Sequence, residues 1–125
     1  MPDDPAVRLL LPIPPSTNNL FVNRRPGQGR ARGPVYRSWL TAAGWEIKLQ
    51  RPPTLNPPLQ ARVRVLIEAP LGPNRDLDNA LKPLLDVLVK MGVIADDGLV
   101  DDLRIVRRGE GDKCTVRLWP TRRWY

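Results

Sequence analysis

Histidine is absent from this 125-residue sequence, and cysteine occurs only once, at Cys114. The absence of histidine excludes imidazole as a general base, His-based catalytic triads and His-ligated zinc. A single cysteine excludes an internal disulfide and a cysteine-based zinc cluster, and it favours a reducing, cytoplasmic setting. No apolar run approaches the roughly 18 residues that indicate a membrane span. Any catalysis must therefore depend on carboxylates, Lys, Tyr, Ser or a bound hard cation with oxygen ligands.

Basic residues dominate the chain, with 20 Lys and Arg against 13 Asp and Glu and a net charge of +7. Most of these cations are Arg, which pairs with phosphate through a bidentate fork. The charge is unevenly spread, because residues 68–102 are acidic while residues 5–67 and 103–125 are basic. An acidic segment in a basic chain suits a metal-dependent enzyme that acts on nucleic acid. The same composition also fits a basic protein of the ribosomal type.

The length and the 42% hydrophobic content predict one domain, residues 1–125, with one modest core. Apolar runs and alternating patterns predict strands at residues 7–12, 61–69, 99–109 and 113–119. Helical spacing predicts helices over residues 36–50 and from about residues 78–81 to just before Gly92. We expect the last two strands to form a hairpin across Gly109–Asp112. The order β-α-β-α-β-β predicts an α/β fold (an α+β two-layer arrangement) with two helices packed on a mixed four-stranded sheet.

Proline and glycine mark two special segments. Pro83 lies inside the second helical pattern, and proline is tolerated best in a first turn, so we expect the helix to begin shortly before it. The segment from about 23 to 34 is rich in arginine and glycine, and we expect it to be a mobile basic loop. Its four arginines are Arg24, Arg25, Arg30 and Arg32.

The segment Arg75–Asn79 (RDLDN), followed by Lys82, is the sharpest chemical feature. Asp76 and Asp78 lie two residues apart, and in extended backbone such side chains point to the same side, so the two carboxylates could share a cation. If Asp78 caps the helix, Lys82 lies one turn further on the same face, within reach of a phosphate held by the metal. The alternative is a plain N-cap, Asp78 or Asn79, with the other charges solvated.

More aspartates follow the second helix. Asp96-Asp97-Gly98 taken alone is typical of a turn. Asp101 and Asp102 come shortly afterwards, so that seven aspartates lie between residues 76 and 102 of a chain that is otherwise basic. Carboxylates that are brought together repel one another, and a divalent cation would relieve that repulsion.

The chain resembles the RusA-type Holliday-junction resolvases, which are small endodeoxyribonucleases of bacteria and their prophages. The likeness extends over about residues 8–119. It rests on three stretches: Leu11–Ser16 (LPIPPS) with Asn18 and Asn19, Arg75–Asn79 with Lys82 and Asp86, and Gly92–Asp97 (GVIADD) with Val100.

The resemblance implies a homodimer that binds four-way DNA junctions and nicks two opposed strands with Mg²⁺, with Mn²⁺ as a possible substitute. By position it implies that Asp76, Asp78 and Asp97 are the metal ligands and that Lys82 is a catalytic residue. It also places Ser16, Asn18, Asn19, Arg75 and Asn79 at the DNA. The basic charge adds further expected contacts to the DNA backbone: Arg24, Arg25, Arg30 and Arg32 of the loop, and Arg62, Arg64, Arg107 and Arg108.

The sequence therefore predicts a cytoplasmic, Mg²⁺-dependent, structure-specific DNA endonuclease that serves recombination and repair. One alternative is a Mg²⁺ nuclease for other branched DNA, such as flaps or replication forks. The other is a non-catalytic nucleic-acid-binding module, which would fit the basic composition equally well. That module would not explain why Asp76, Asp78, Lys82 and Asp97 occur together.

Overall fold

The computed structural model describes residues 5–16, 21–23, 30–52 and 58–121. In chain order its elements are β1 (Val7–Pro12), β2 (Phe21–Asn23), β3 (Arg30–Arg32), α1 (Pro34–Gln50), β4 (Val63–Ala69), α2 (Leu77–Lys90), β5 (Val100–Arg107) and β6 (Lys113–Pro120). A short 3-10 turn, Asp97–Leu99, stands directly before β5. No helix in these ranges is long and apolar enough to cross a membrane.

Four strands form a mixed sheet in the order β1-β6-β4-β5. Strands β4 and β5 are parallel, and the other neighbouring pairs are antiparallel. Helix α1 contacts β1, and α2 contacts β5. This arrangement confirms the predicted α+β fold with two helices and a mixed four-stranded sheet.

The core lies between the two helices and one face of the sheet. Alternate residues of β4, such as Val65 and Ile67, are fully buried, and so are Leu84 and Leu88 of α2. Each side chain of this kind stabilises the fold by about 1.5–3 kcal/mol relative to an exposed position. The core therefore fixes both ends of β4 and the start of α2. Asp76 and Asp78 lie at the start of α2.

The predicted hairpin of the last two strands is wrong, because β4 lies between β5 and β6. The chemistry of the two strands explains the difference. Strand β5 is rich in charge and half-exposed along its length, which suits the edge of a sheet. Strand β6 buries Cys114, Val116 and Leu118 on one face, so it gains more from a central position between two neighbours.

The predicted start of α2 is also corrected. Asp76 is the N-cap, the helix begins at Leu77, and Pro83 therefore lies in the second turn rather than the first. Proline there cannot donate to the Asn79 carbonyl in the helical ladder. Burial of Pro83 together with Leu84 in the core helps to offset that loss. At the other end, Gly92 follows α2 with a φ of +70°. This left-handed conformation is the one expected of a glycine directly after the C-terminal end of a helix.

The basic loop predicted at about 23–34 contains regular structure at both ends. Strands β2 and β3 pair antiparallel, with Asn23 opposite Arg30 and Phe21 opposite Arg32. Apolar residues such as Phe21 favour extended backbone, a preference that the arginine and glycine content had obscured. Residues 24–29, which include Arg24 and Arg25, lie outside the described residues.

Candidate metal and nucleic-acid site

Asp76 and Asp78 lie together at the start of α2, as the sequence predicts. Asp76 has extended backbone angles (φ −80°, ψ 138°) and is the N-cap, but its side chain does not cap the helix. Asp78 belongs to the first helical turn, so the expectation that both aspartates have extended backbone is wrong. Both residues are exposed. The positive end of the helix dipole favours two negative charges at this position.

The two carboxylates fit a hard cation. Among the described residues, neither Asp76 nor Asp78 has a hydrogen-bond or ion-pair partner, so both carboxylates remain available as ligands. Ionised carboxylate oxygens are the ligands that Mg²⁺ and Mn²⁺ prefer in proteins. Together Asp76 and Asp78 would supply two ligands, and a Mg²⁺ site needs more than two.

Asp97 lies far from this pair within one chain. It opens the 3-10 turn that enters β5, and the parallel register pairs Val63 with Val100 at that end and Ala69 with Arg107 at the other. Asp97 therefore stands at the beginning of β4, whereas Asp76 follows the end of β4. Seven strand residues separate the two ends by about 20 Å. In the described ranges, no three acidic or thiol side chains come together to hold a metal ion.

Lys82 lies on the exposed side of α2. Its ammonium is 3.4 Å from Oδ1 of Asp86, one turn further on, rather than beside Asp78. The Tyr36 hydroxyl donates to the other Asp86 oxygen at 3.4 Å. The Lys82 side chain is 73% exposed, and an ion pair in such surroundings stabilises a protein by at most about 1 kcal/mol. The contact therefore leaves the lysine able to turn towards a bound anion.

Arg75 is directed partly into the protein. Its Nη2 atom is buried and has no hydrogen-bond partner within the described part of the chain. Burial raises the pKa of the Cys114 thiol to about 11, and the positive charge of Arg75 opposes that rise. The positive charge of Arg75 therefore affects the buried thiol at the start of β6, although the resemblance placed this residue at the DNA.

The other sequence-predicted DNA residues are distributed as follows. Ser16 and Asn79 are half-buried, and Asn79 belongs to the first turn of α2. Arg30 and Arg32 belong to β3. Asn18, Asn19, Arg24 and Arg25 lie outside the described residues.

Four arginines that the charge pattern assigned to DNA make contacts within the protein. Arg62 donates from Nε to Asp101 at 2.5 Å and from Nη2 to the Gly98 carbonyl at 2.7 Å. The guanidinium of Arg64 lies 4.8 Å from the ring centre of Trp119.

Towards the other end of β4, Arg108 pairs with Glu68 at 3.1 Å, and Arg117 binds the same carboxylate. Arg107 donates to three backbone carbonyls of the loop before Asp76. Local sequence carries no signal for these contacts, because most of their partners lie more than thirty residues away.

Comparison with known proteins now defines the class. Residues 12–118 match the family model described as Endodeoxyribonuclease RusA. The chain belongs to the RusA family of endodeoxyribonucleases, which are DNA-cleaving hydrolases.

Individual relatives carry a more specific name. The chain is 34% identical to the crossover junction endodeoxyribonuclease rusA of Enterobacteria phage HK97, over 80% of this chain and 81% of the relative. It is 31% identical to the crossover junction endodeoxyribonuclease RusA of Aquifex aeolicus, over 82% and 79%. The protein of the same name from Shigella sonnei is 34% identical over 79% and 80%. The resemblance seen in the sequence motifs is therefore confirmed.

Proposed function

We propose that this chain is a Mg²⁺-dependent endonuclease that resolves four-way DNA junctions by paired nicking, in recombination and repair. The observation that carries the proposal is a pair of exposed carboxylates at the start of a helix in a basic chain, Asp76 and Asp78, which have no partner among the described residues. Family membership supports the reaction, and the relatives' names supply the junction substrate. The single cysteine favours work in the cytoplasm.

In this proposal each residue near the start of α2 has a separate task. Asp76 and Asp78 hold the divalent cation, which when bound lowers the pKa of a water molecule and stabilises charge on the attacked phosphate. Lys82 places a positive charge against the same phosphate as negative charge develops there. Because the chain has no histidine, the proton acceptor would be either an aspartate carboxylate or a hydroxide supplied with the cation.

We propose in addition that the third acid comes from a second copy of the chain. Ligands of one Mg²⁺ lie about 2.0–2.1 Å from the ion, so carboxylates at opposite ends of a strand about 20 Å long cannot share it. A two-fold axis perpendicular to the strands would set the Asp97 end of one copy beside the Asp76 end of the other. This arrangement gives the homodimer two sites, as nicking of two opposed strands requires.

The β5 edge supports such an antiparallel assembly. On this outer strand Asp102 and Arg104 flank Leu103, whose side chain is 38% exposed. When two β5 strands pair antiparallel with Leu103 opposite Leu103, each Asp102 faces an Arg104 of the second copy. Opposite charges directly across strands are favourable, so the edge is complementary to itself. This pairing also sets Arg107 of one copy beside the Val100 end of the other.

The decisive experiment is cleavage of a labelled four-way junction beside a linear duplex of the same sequence, with and without Mg²⁺. We expect paired nicks in the junction only, and only with the cation. Binding of the junction without cleavage would favour a non-catalytic nucleic-acid-binding module. Cleavage of flaps or forks in preference to junctions would favour a Mg²⁺ nuclease for other branched DNA.

A mixing experiment tests the shared site. Asp76→Asn and Asp97→Asn should each be inactive alone while retaining junction binding. After the two are unfolded and refolded together, mixed dimers contain one site with both natural aspartates, so nicking should return. If the mixture stays as inactive as either variant, the aspartates do not act across two copies.

A further inference from the structure

The loop between β4 and α2 is fastened by one arginine side chain. Arg107 donates from Nη1 to the carbonyls of Gly72 at 2.5 Å and Leu71 at 3.3 Å, and from Nη2 to that of Arg75 at 2.8 Å. The last of these carbonyls belongs to the residue directly before Asp76. The guanidinium therefore joins the end of β5 to the backbone from which Asp76 projects.

The loop has few other restraints of its own. The Leu71 amide donates to the Ala69 carbonyl at 2.9 Å, and the Arg75 amide donates to the Gly72 carbonyl at 3.2 Å. Pro73 has no amide hydrogen to contribute. Burial of the Leu71 side chain, which is 7% exposed, fixes the beginning of the loop. The end of the loop, next to Asp76, is held by the Arg107 fork together with the Arg75 amide and the packing of Leu77 against the core.

A second arginine makes an equivalent contact at the other end of β4. Arg62 binds the Gly98 carbonyl at 2.7 Å and the Asp101 carboxylate at 2.5 Å. Gly98 directly follows Asp97, and Asp101 lies at the beginning of β5. The 3-10 turn that carries Asp97 is therefore fastened to the residue before β4. The same contact removes Asp101 from the acids available to a cation.

We propose that Arg107 and Arg62 are positioning residues, which fix the backbone beside Asp76 and Asp97 so that both carboxylates are preorganised for the divalent cation. This inference rests on the proposed function. A metal site requires its ligands to be held within about 0.5 Å of the productive geometry. Loss of a residue that orients a ligand typically lowers metal affinity or activity about 10- to 100-fold.

The contacts distinguish this role from phosphate binding. An arginine that binds DNA keeps its fork free for a phosphate, whereas both terminal nitrogens of Arg107 already donate to carbonyls. Its neighbour Arg108 offers a matched comparison, because it has the same charge and a similar place at the end of β5, while its side chain binds Glu68 and not the loop before Asp76. Substitution of Arg107 and of Arg108 should therefore have different effects on metal binding.

The test is a calorimetric titration of Mn²⁺ into the full-length protein without DNA, followed by Mg²⁺ titrations of single-turnover junction cleavage. Arg107→Ala should weaken Mn²⁺ binding about 10-fold or more and raise the half-maximal Mg²⁺ concentration by a similar factor. Arg108→Ala should leave Mn²⁺ binding unchanged. Arg107→Lys should fall between wild type and Arg107→Ala, because an ammonium cannot reproduce the planar fork.

Arg62→Ala should weaken Mn²⁺ binding in the same way, with Arg64→Ala as its control. Thermal unfolding identifies any variant that fails to fold, and the lysine substitutions then replace the alanine ones.

Wild-type Mn²⁺ affinity in folded Arg107→Ala, beside lost affinity in Asp76→Asn, would overturn the positioning role alone. Wild-type affinity and cleavage in Asp76→Asn would instead overturn the proposed site. An equal rise in the junction Kd for Arg107→Ala and Arg108→Ala, with unchanged metal binding, would show that Arg107 serves the DNA backbone.

Discussion

Gln50, the last residue of α1, completes the outer edge of β1 at Leu10. Its Nε2 donates to the Leu10 carbonyl at 2.9 Å, and its Oε1 accepts from the Leu10 amide at 2.7 Å. The side-chain amide thus occupies the place of a neighbouring strand, and unpaired strand edges are templates for association with other chains. The outer edge of β1 is covered in this way at Leu10.

Gln50→Ala should therefore lower the free energy of unfolding by about 1–3 kcal/mol, because two hydrogen bonds to the backbone are lost. It should also increase aggregation by exposing the β1 edge. Urea unfolding and static light scattering measure the two effects. Ser38→Ala, at an exposed position of the same helix, should change neither. Unchanged light scattering for Gln50→Ala would contradict the role in closing the edge.

Lys82→Ala should lower the single-turnover cleavage rate about 10²-fold or more, on the scale of losing one electrostatic donor. Junction affinity and thermal stability should hardly change, because the contact with Asp86 is exposed. Lys82→Arg should recover part of the rate. Lys90→Ala, at the other end of α2, is the control. A wild-type rate for Lys82→Ala at saturating protein would mean that Lys82 is surface charge only.

Neutralising the four arginines of the basic loop should weaken junction binding and flatten its salt dependence. The slope of log K against log salt should fall by about 0.9 for each lost phosphate contact. Fluorescence anisotropy at several salt concentrations measures it, and the four residues are Arg24, Arg25, Arg30 and Arg32. Replacing four other exposed cations, Arg37, Lys48, Lys90 and Lys113, provides a control of equal net charge. Equal slopes in the loop variant and the wild type would show that the loop does not contact DNA.

Glu68 should make stability depend on pH. Hydrogen bonding by Arg117, together with the charges of Arg117 and Arg108, holds its pKa below the ordinary value of 4.5. A carboxyl group whose pKa is lowered in the folded state stabilises the fold above its unfolded pKa, and that stabilisation is lost as the pH falls through the lowered folded value. Glu68→Gln should therefore lower the unfolding free energy at pH 7 by about 1–2 kcal/mol.

Below about pH 4.5 the difference between Glu68→Gln and wild type should shrink, which urea unfolding across the pH range would show. Glu110→Gln, in the exposed turn after β5, is the control. A difference that persists unchanged to pH 3 would mean that Glu68 does not stabilise the fold through its charge.

The elements of this fold were largely predictable because they depend on local patterns. The spacing of Tyr36, Leu40 and Ile47 predicts α1, and the alternation of Val63, Val65 and Ile67 predicts β4. The order of the strands was not predictable, since it depends on which strand buries the most apolar surface in a central position. The start of α2 was misplaced because the local rule for Pro83 was overridden by packing.

The common position of Asp76 and Asp78 at one helix start was predictable, and the distance from them to Asp97 was not. The spacing of Asp76 and Asp78 places both acids at one helix start, which is a local property. The separation of Asp97 from them follows from the parallel pairing of β4 with β5, which no short pattern encodes. The contacts of Arg62 and Arg107 join residues more than thirty positions apart, so the sequence offered only their charge.

The parallel pairing of β4 with β5 has a consequence for the behaviour of this nuclease in the cell. If each cleavage site needs Asp76 and Asp78 of one copy and Asp97 of another, a newly made single copy cannot nick the chromosome. Below the dimer Kd, the amount of active enzyme then grows with the square of the protein concentration. A modest change in expression would switch cutting on or off sharply, and stray nicks would be rarest when copies are few.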